Sequence, residues 1–421
     1  MLEKQPKSLP PKKSTNRNVW RSDGKGRLPP VIHCKIKSLC GVCDYINENY
    51  HRSLDKKFRH GVKILEGRLD LTGVKLIQPK EAPKSLGYRA HAKLAVAPSR
   101  NGKNRFAIGM YQPKSHRIID VSQCPVHKES INAIIREIRA ELENMPIQPY
   151  DETNHTGDLR FIAIRASHLT NELMLTFVLR EDKFRQEIQG LVSLMRHKGH
   201  IINSAHININ PEKTNVIFGS LSKRIAGTDR LRERLCGLDF EIGPTSFFQV
   251  NPWQAELVYR RISHLAGSNL SQSIAWDLYC GTGQISILLA SAGYRTLGIE
   301  ENPQACRDGQ KNVRRNHLEQ QPTFITCQVE DLPKHLPAWA MSPQLIVANP
   351  SRHGLSSAAL DLIRDTLLKN RCRFLYLSCE MESFARDVQY LTTNTGVKLH
   401  QLESFDMFPY TAKMEWLGVF S

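Results

Sequence analysis

The chain has 421 residues, 40% of them hydrophobic, which predicts two or three domains with ordinary buried cores at roughly 150 residues each. Lysine and arginine number 58 against 41 acidic residues, a formal net charge of +17 that points to a polyanionic partner, most simply nucleic acid. No stretch reaches the ~18 apolar residues of a membrane span and the start lacks a signal peptide's apolar run, so the expectation is a cytoplasmic chain with no membrane partner.

In such a reducing setting the 10 cysteines point to metal or catalysis rather than disulfides. Residues 1–32 carry eight basic side chains against Glu3 and Asp23, with prolines at 6, 10, 11, 29 and 30, and read as a disordered basic arm. Next come Cys34, Cys40 and Cys43, three thiols within ten residues. Thiolates are the soft ligands of iron–sulfur clusters and of zinc, and the spacing does not separate the two. Cys124, followed by Pro125, is the best fourth ligand, while His33 and His127 read as bystanders. Cys236, Cys306, Cys327 and Cys372 lie in apolar or helical contexts and read as packing residues.

From Tyr88 to about Arg180 the pattern is mixed α+β. Two strand-like runs flank a turn at Asn101-Gly102, and Ser130–Glu143 is helical, with isoleucines at 131, 134, 135 and 138. Leu159–Ser167 and Glu172–Arg180 read as a strand pair, Arg185–Lys198 as a helix, and Ile201–Phe218 alternates again. The basic residues Arg89, Lys93 and Arg105 are candidates to line an RNA path, against the plainer reading of solvated charges.

In FFQVNPWQAE, Asn251 reads as an N-cap, Pro252 as N1 and Gln254 as N3 of a helix that presents Phe247, Phe248 and Gln249 at its mouth. Ile274–Gly293 then reads as buried strand, Gly281-x-Gly283 turn and helix, which sets backbone N–H groups beside a ligand. Ser286 stands where a dinucleotide fingerprint has its third glycine, so S-adenosylmethionine suits the stretch better than NAD. The αβ alternation continues, with strands at Tyr294–Glu300, Thr323–Val329, Gln344–Ala348 and Phe374–Ser378. A pair, Val397–Phe408 and Lys413–Phe420, closes the sheet. Glu300, 23 residues after Asp277, occupies the place of an acid that holds ribose hydroxyls.

Three groups fall at the carboxyl ends of these strands, where open α/β sheets bind ligands. They are Asn349-Pro350-Ser351-Arg352, Ser378-Cys379-Glu380, and Asp406-Met407-Phe408-Pro409 with Glu415 beyond. Cys379 lies between an apolar strand and a helix start, where the helix dipole favours a thiolate. The plainer reading is a small buried residue.

With Phe247-Phe248-Gln249-Val250-Asn251, the Asp277–Gly283 turn, Leu377-Ser378-Cys379 and Asp406–Pro409 in place, the chain resembles the S-adenosylmethionine-dependent RNA uracil-C5 methyltransferases. The resemblance runs from Cys34 to the end of the chain. It is most similar to the iron–sulfur subgroup without a TRAM domain, the branch acting on 23S rRNA. It implies a Rossmann-like, doubly wound α/β methyltransferase sheet over residues 237–421, behind an α+β iron–sulfur and RNA-binding domain over residues 33–236. Cys379 is then the nucleophile and Glu415, partly buried, the base. Gln249, Asp277, Tyr279, Gly281, Glu300, Gln328 and Asn349 surround S-adenosylmethionine, with Glu330 an alternative to Gln328 near the adenine. Phe247, Asn349 and Arg89 meet the RNA. Cys34, Cys40, Cys43 and Cys124 hold a [4Fe–4S] cluster, with zinc as the alternative.

Two positions depart from the family's pattern. Ser351 replaces the second proline of an Asn/Asp-Pro-Pro-Arg motif. Glu380 replaces the asparagine after the cysteine, setting a carboxylate beside Cys379 that opposes the helix dipole. The remaining readings are a non-catalytic RNA-binding or ribosome-assembly protein on the same fold and an RNA cytosine-C5 methyltransferase. A monomer is the expected state.

Overall fold

A computed structural model describes residues 31–100, 104–267, 273–318, 321–393 and 395–421. All but the last two residues of the basic arm, and the Asn101-Gly102 turn, lie outside the described residues. The first sheet is built from β2 (His91–Pro98), β3 (Phe106–Tyr111), β4 (Ile118–Asp120), β5 (Leu159–Ala166), β6 (Leu173–Leu179), β7 (Ile202–Ile209) and β8 (Leu221–Gly227). Its order is β4-β3-β2-β5-β6-β7-β8, antiparallel except where β6 meets β7. That parallel pair needs a crossover, supplied by helix α4 (Arg185–His197). The isoleucines of α3 (Glu129–Leu142) are buried in the core that this sheet shares with α3 and α4.

The alternation expected across Ile201–Phe218 stops at Ile209, because side-chain amides take over the backbone groups. Asn210 Nδ2 donates to the carbonyls of Val216 and Ile217 at 2.7 and 3.1 Å, and Asn208 Oδ1 accepts from Gly219 N at 2.8 Å. The chain then resumes as β8 and a hairpin of β9 (Leu231–Leu235) and β10 (Leu238–Ile242). Cys236 and Gly237 both have positive φ, 54° and 82°, as a two-residue hairpin turn between right-twisted strands requires. Cys236 therefore packs at this hairpin turn.

The second sheet contains β1 (Lys75–Leu76), β11 (Ile274–Leu278), β12 (Arg295–Glu300), β13 (Thr323–Thr326), β14 (Leu345–Ala348), β15 (Arg373–Ser378), β16 (Leu399–Phe405) and β17 (Glu415–Phe420). Their order is β1-β16-β17-β15-β14-β11-β12-β13, and β17 alone runs against its neighbours. Adjacent tips of β12, β11, β14 and β15 thus open on the same edge, with the order reversing at β11. Apolar cores lie against this sheet, one including residues of α9 (Ser357–Asn370) and α10 (Met381–Thr392), the other of α5 (Pro252–Ala266) and α6 (Gln284–Ser291).

Helix α2 (Tyr50–Glu66), whose charged sequence hides its apolar stripe, precedes the first sheet in the chain yet packs on the second. Asn49 caps it, accepting from His51 N and Arg52 N at 3.1 and 3.3 Å. Its buried side is Tyr50, Ser53, Leu54, Lys57, Gly61 and Leu65. Gly61 permits the approach: a Cβ there would lie 2.2 Å from the Trp416 ring, itself stacked on Phe58. Strand β1 follows and pairs with β16.

Candidate active site

Strand β11 ends at Leu278 because Tyr279 turns into the left-handed region at φ 60°, and Gly281 and Gly283 follow at 57° and 81°. Positive φ in succession curls the chain so that α6 starts at Gln284 with Gly283 as its N-cap. A Cβ on Gly283 would meet the Phe324 ring at 2.7 Å, and one on Gly298 would do the same, so both glycines admit that aromatic side chain. Glu300 holds the turn from the next strand tip, accepting from Gly281 N at 3.0 Å through one oxygen and from Asn302 N at 2.9 Å through the other.

Asp277 lies fully buried beneath the turn and accepts from the Ser286 hydroxyl at 2.6 Å. Burial lifts its carboxyl to about 7 against the opposing Ser286 bond, with Glu300 adding to the rise. Ser286, in the place of the missing third glycine, thus supplies a donor to the strand's carboxylate. The other oxygen of Asp277 has no hydrogen-bond partner among the described residues, and an orphaned acceptor under a glycine cradle fits a ligand with hydroxyl or amine donors.

Tyr279 and Asn349 are half-buried beside the cradle, and Asn349 N donates to Leu278 O at 3.3 Å, which joins the two strand tips. Gln328 is exposed at the far strand tip, just before a short 3-10 turn at Val329–Asp331. Gln249 is nearly buried and hydrogen-bonds the buried Tyr259 hydroxyl of α5. These residues suit S-adenosylmethionine in kind: a carboxylate at the second strand tip for ribose hydroxyls, backbone amides at a helix start, and polar groups at neighbouring tips.

The second half of the site comes from β15 and β17. Their antiparallel register pairs Leu377 with Leu417 and Ser378 with Trp416, so its next step sets Cys379 opposite Glu415 on one face. The two are close enough for the carboxylate to act on the thiol. Burial first, then Glu415 and Glu380, raise Cys379 to about 11, while Arg352 pulls it down. Glu415 is fully rather than partly buried, and burial lifts its carboxyl to about 8. Glu380, the carboxylate next to the cysteine, is not left as a bare charge: Lys413 pairs with it at 2.5 Å. Ser351 lies exposed in a turn closed by Gly354 N and Ser351 O at 3.0 Å, so its side chain leaves the Arg352 loop folded.

The Phe247–Asn251 segment leads into the edge of this site. Phe248 is buried in the core while Phe247 is 63% exposed, a large ring that also lines the cavity holding Cys34, Cys40, Cys43 and Cys124. Arg165, fully buried, donates to the Ser246 carbonyl at 2.8 Å and anchors the segment to the first sheet. Asn251 caps α5 through Gln254 N at 3.2 Å, but Gln254 reaches the Lys80 carbonyl at 2.9 Å instead of closing a capping box. Asn251 Nδ2 also donates to Met407 O at 3.1 Å, tying this segment to the Asp406–Pro409 turn.

Sequence reasoning missed Lys57. It reaches from α2 to Asp406 at 2.5 Å and to Phe408 O at 3.0 Å, both side chains of the ion pair fully buried. Lys57→Met leaves the Asp406 carboxylate buried and unpaired, and is expected to lower unfolding stability by about 3–5 kcal/mol. Denaturant titration of the variant checks this.

Cys34, Cys40, Cys43 and Cys124 line one cavity of about 360 Å³ together with Arg89, Lys93, His127 and Phe247. Burial and the neighbouring thiols of Cys124 and Cys40 push Cys43 to about 12. Burial also raises the Cys40 and Cys124 thiols, and Arg89 opposes the rise at all three, so this expected RNA contact faces the thiols. Among the described residues, no group of three or more His, Cys, Asp or Glu is gathered tightly enough to hold a metal ion. The thiols share a cavity without forming a finished ligand shell. Arg105 is occupied otherwise: its guanidinium donates to the carbonyls of Glu143, Met145 and Ile147 at 2.8, 3.0 and 2.8 Å. It braces the segment after α3.

Comparison with known proteins agrees with this geometry. A family model described as tRNA (uracil-5-)-methyltransferase matches residues 49–421. An uncharacterised RNA methyltransferase of Listeria monocytogenes is 33% identical over 398 residues, covering 92% of this chain and 83% of the relative. One from Halalkalibacterium halodurans is 28% identical over 431 residues, covering 98% and 91%. The crystal structure of Pyrococcus abyssi tRNA (uracil-54, C5)-methyltransferase in complex with S-adenosyl-L-homocysteine superposes with a TM-score of 0.70 at 25% identity. That match covers 89% of this chain and 84% of the other. The chain belongs to the tRNA (uracil-5-)-methyltransferase family and is an S-adenosylmethionine-dependent RNA methyltransferase with a Rossmann-like catalytic sheet.

Proposed function

We propose that this enzyme methylates C5 of a specific uridine in 23S rRNA through a covalent bond between Cys379 and C6 of the base. The observation that carries the reading is the β15–β17 register, which sets the Cys379 thiol opposite the buried Glu415 carboxyl at a strand tip beside the glycine cradle. Uracil C5 is too electron-poor to attack an alkyl donor. Addition of the thiolate to C6 forms a C–S bond and moves the ring's π electrons onto C5 and O4 as an enolate. S-adenosylmethionine, which Gln249, Asp277, Tyr279, Gly281, Glu300, Gln328 and Asn349 would hold, supplies the methyl group that C5 bonds, its sulfonium S–CH3 bond breaking to leave S-adenosylhomocysteine. Glu415 then takes the C5 proton, the C6–S bond breaks, and the C5=C6 double bond returns with the thiolate freed.

Asn349 suits a uracil edge, because its amide offers a donor for O4 and an acceptor for N3–H. Phe247 suits a base drawn out of its stack. Phe247→Ala is expected to weaken binding of the RNA substrate by about 1–3 kcal/mol, read by filter binding, with cofactor affinity unchanged. The same reading takes the enzyme to be a cytoplasmic monomer. It assigns residues 33–236 to RNA binding and residues 237–421 to catalysis. It also gives Cys34, Cys40, Cys43 and Cys124 to a [4Fe–4S] cluster, with zinc the alternative. Four thiols around one cavity support that assignment. Bound there, such a cluster supplies a cross-link between the cysteine loop and the Cys124 turn.

A tRNA uridine is the second target, favoured by the tRNA (uracil-54, C5)-methyltransferase whose fold this chain shares. Mapping 5-methyluridine in rRNA and tRNA from cells with and without the gene decides. Loss of one 23S site supports the proposal, whereas loss of a tRNA site or appearance of 5-methylcytidine dependence overturns it.

A further inference from the structure

Glu380 and Lys413 come from the two segments that carry the reacting groups. Glu380 follows Cys379 and is the N-cap of α10, while Lys413 precedes Glu415 by two residues at the entry to β17. Their ion pair at 2.5 Å therefore spans the gap between the nucleophile's turn and the base's strand. Glu380 is also held by its backbone: its N–H donates to Ser378 Oγ at 3.3 Å, and its carbonyl accepts from Ser383 Oγ at 3.1 Å. Lys413 is held from its own side. Lys413 N donates to Thr411 Oγ1 at 3.1 Å, Ala412 N to Asp44 at 2.8 Å, and Tyr45 N to Tyr410 O at 2.9 Å.

We propose that Lys413 is a positioning residue for the methyl transfer, offsetting the Glu380 carboxylate beside Cys379 and bracing the cysteine's turn against the strand that bears Glu415. The proposal rests on Cys379 being the nucleophile. The charged groups around the thiol are Glu415 from β17, Arg352 from the loop after β14, and Glu380 on its own turn. Glu382 lies beside Glu380, with Lys413 and His60 of α2 facing it. Two carboxyl groups, Glu415 and Glu380, thus act on one thiol, and Lys413 is the ammonium paired directly with the one next in sequence. Without it, Glu380 opposes the thiolate in full and its side chain loses its anchor.

The test follows alkylation of Cys379 by iodoacetamide across a pH series, read by mass spectrometry on the peptide that contains it, in full-length protein with S-adenosylhomocysteine added. Lys413→Met is expected to move the profile upward by about half to one pH unit, which slows alkylation roughly three- to tenfold at a fixed lower pH. Lys413→Arg keeps the wild-type profile, and Glu380→Gln combined with Lys413→Met restores it. If Lys413→Met fails to fold, Glu380→Gln alone carries the test and is expected to speed alkylation. A Lys413→Met profile that overlays the wild type, or a Glu380→Gln variant alkylated no faster, overturns the proposal. These readings require no RNA. Methylation surviving Cys379→Ala would instead remove the proposed nucleophile, whatever the alkylation profiles show.

Discussion

Cys379→Ala is expected to abolish methyl transfer, by at least about 10⁴-fold in single turnover, and to leave S-adenosylmethionine affinity close to wild type. The expectation follows from the separation of the two halves of the site. The cradle is formed by β11, β12 and β14 tips through Asp277, Gly281, Glu300 and backbone bonds, none of which involves Cys379. The thiol stands one strand further along, facing Glu415. Equilibrium dialysis with labelled cofactor, beside a methylation assay on RNA, checks both parts. Ordinary turnover by the variant would remove the covalent route.

Glu415→Gln has the second large effect and a different signature. An amide cannot take the C5 proton, so turnover is expected to fall by about 10²–10⁴-fold. The methylated base stays bound to Cys379, and protein–RNA adduct accumulates that survives denaturing electrophoresis. Loss of activity without adduct would place Glu415 in a structural role. Wild-type turnover is expected to rise with pH through about 8, where the buried Glu415 carboxyl becomes ionised, and to keep rising toward about 11 as the Cys379 thiol ionises.

Stability moves the other way with pH. A carboxyl whose folded pKa lies above the ordinary value binds its proton more tightly when folded. Its contribution is therefore present at low pH and lost as pH rises through the folded value. Glu415 goes from 4.5 to about 8 and Asp277 from 3.8 to about 7, so stability is expected to fall between those limits. Each group contributes at most about 1.4 kcal/mol per pH unit. Glu415→Gln flattens its share of that slope, which thermal melts across pH measure.

The catalytic sheet was legible because its strands are short apolar runs ending at chemically marked tips. Asp277 before the glycine turn, Glu300 after the next strand and Cys379 before a helix all carry their signal locally. The central sheet was readable from alternation and from the isoleucines of α3, until Asn208 and Asn210 bent the chain away with their own amides. Helix α2 was not, because its lysines, arginines and histidines mask a narrow buried side that includes a glycine. Lys57–Asp406 and Glu380–Lys413 join residues hundreds or tens of positions apart, and nothing in a local pattern marks Lys57 as buried or Lys413 as paired. Glu380 therefore read as an uncompensated charge, and Arg105 as a surface one, when each has its partners in the fold.

The reversible carbon–sulfur bond is most directly tested with RNA bearing 5-fluorouridine at the target position, incubated with the enzyme and S-adenosylmethionine. Fluorine at C5 cannot leave as a proton, so elimination stops. Mass spectrometry is expected to find the methylated fluorinated nucleotide attached to the peptide containing Cys379. Free RNA carrying no adduct, or an adduct on any other cysteine, would contradict the account.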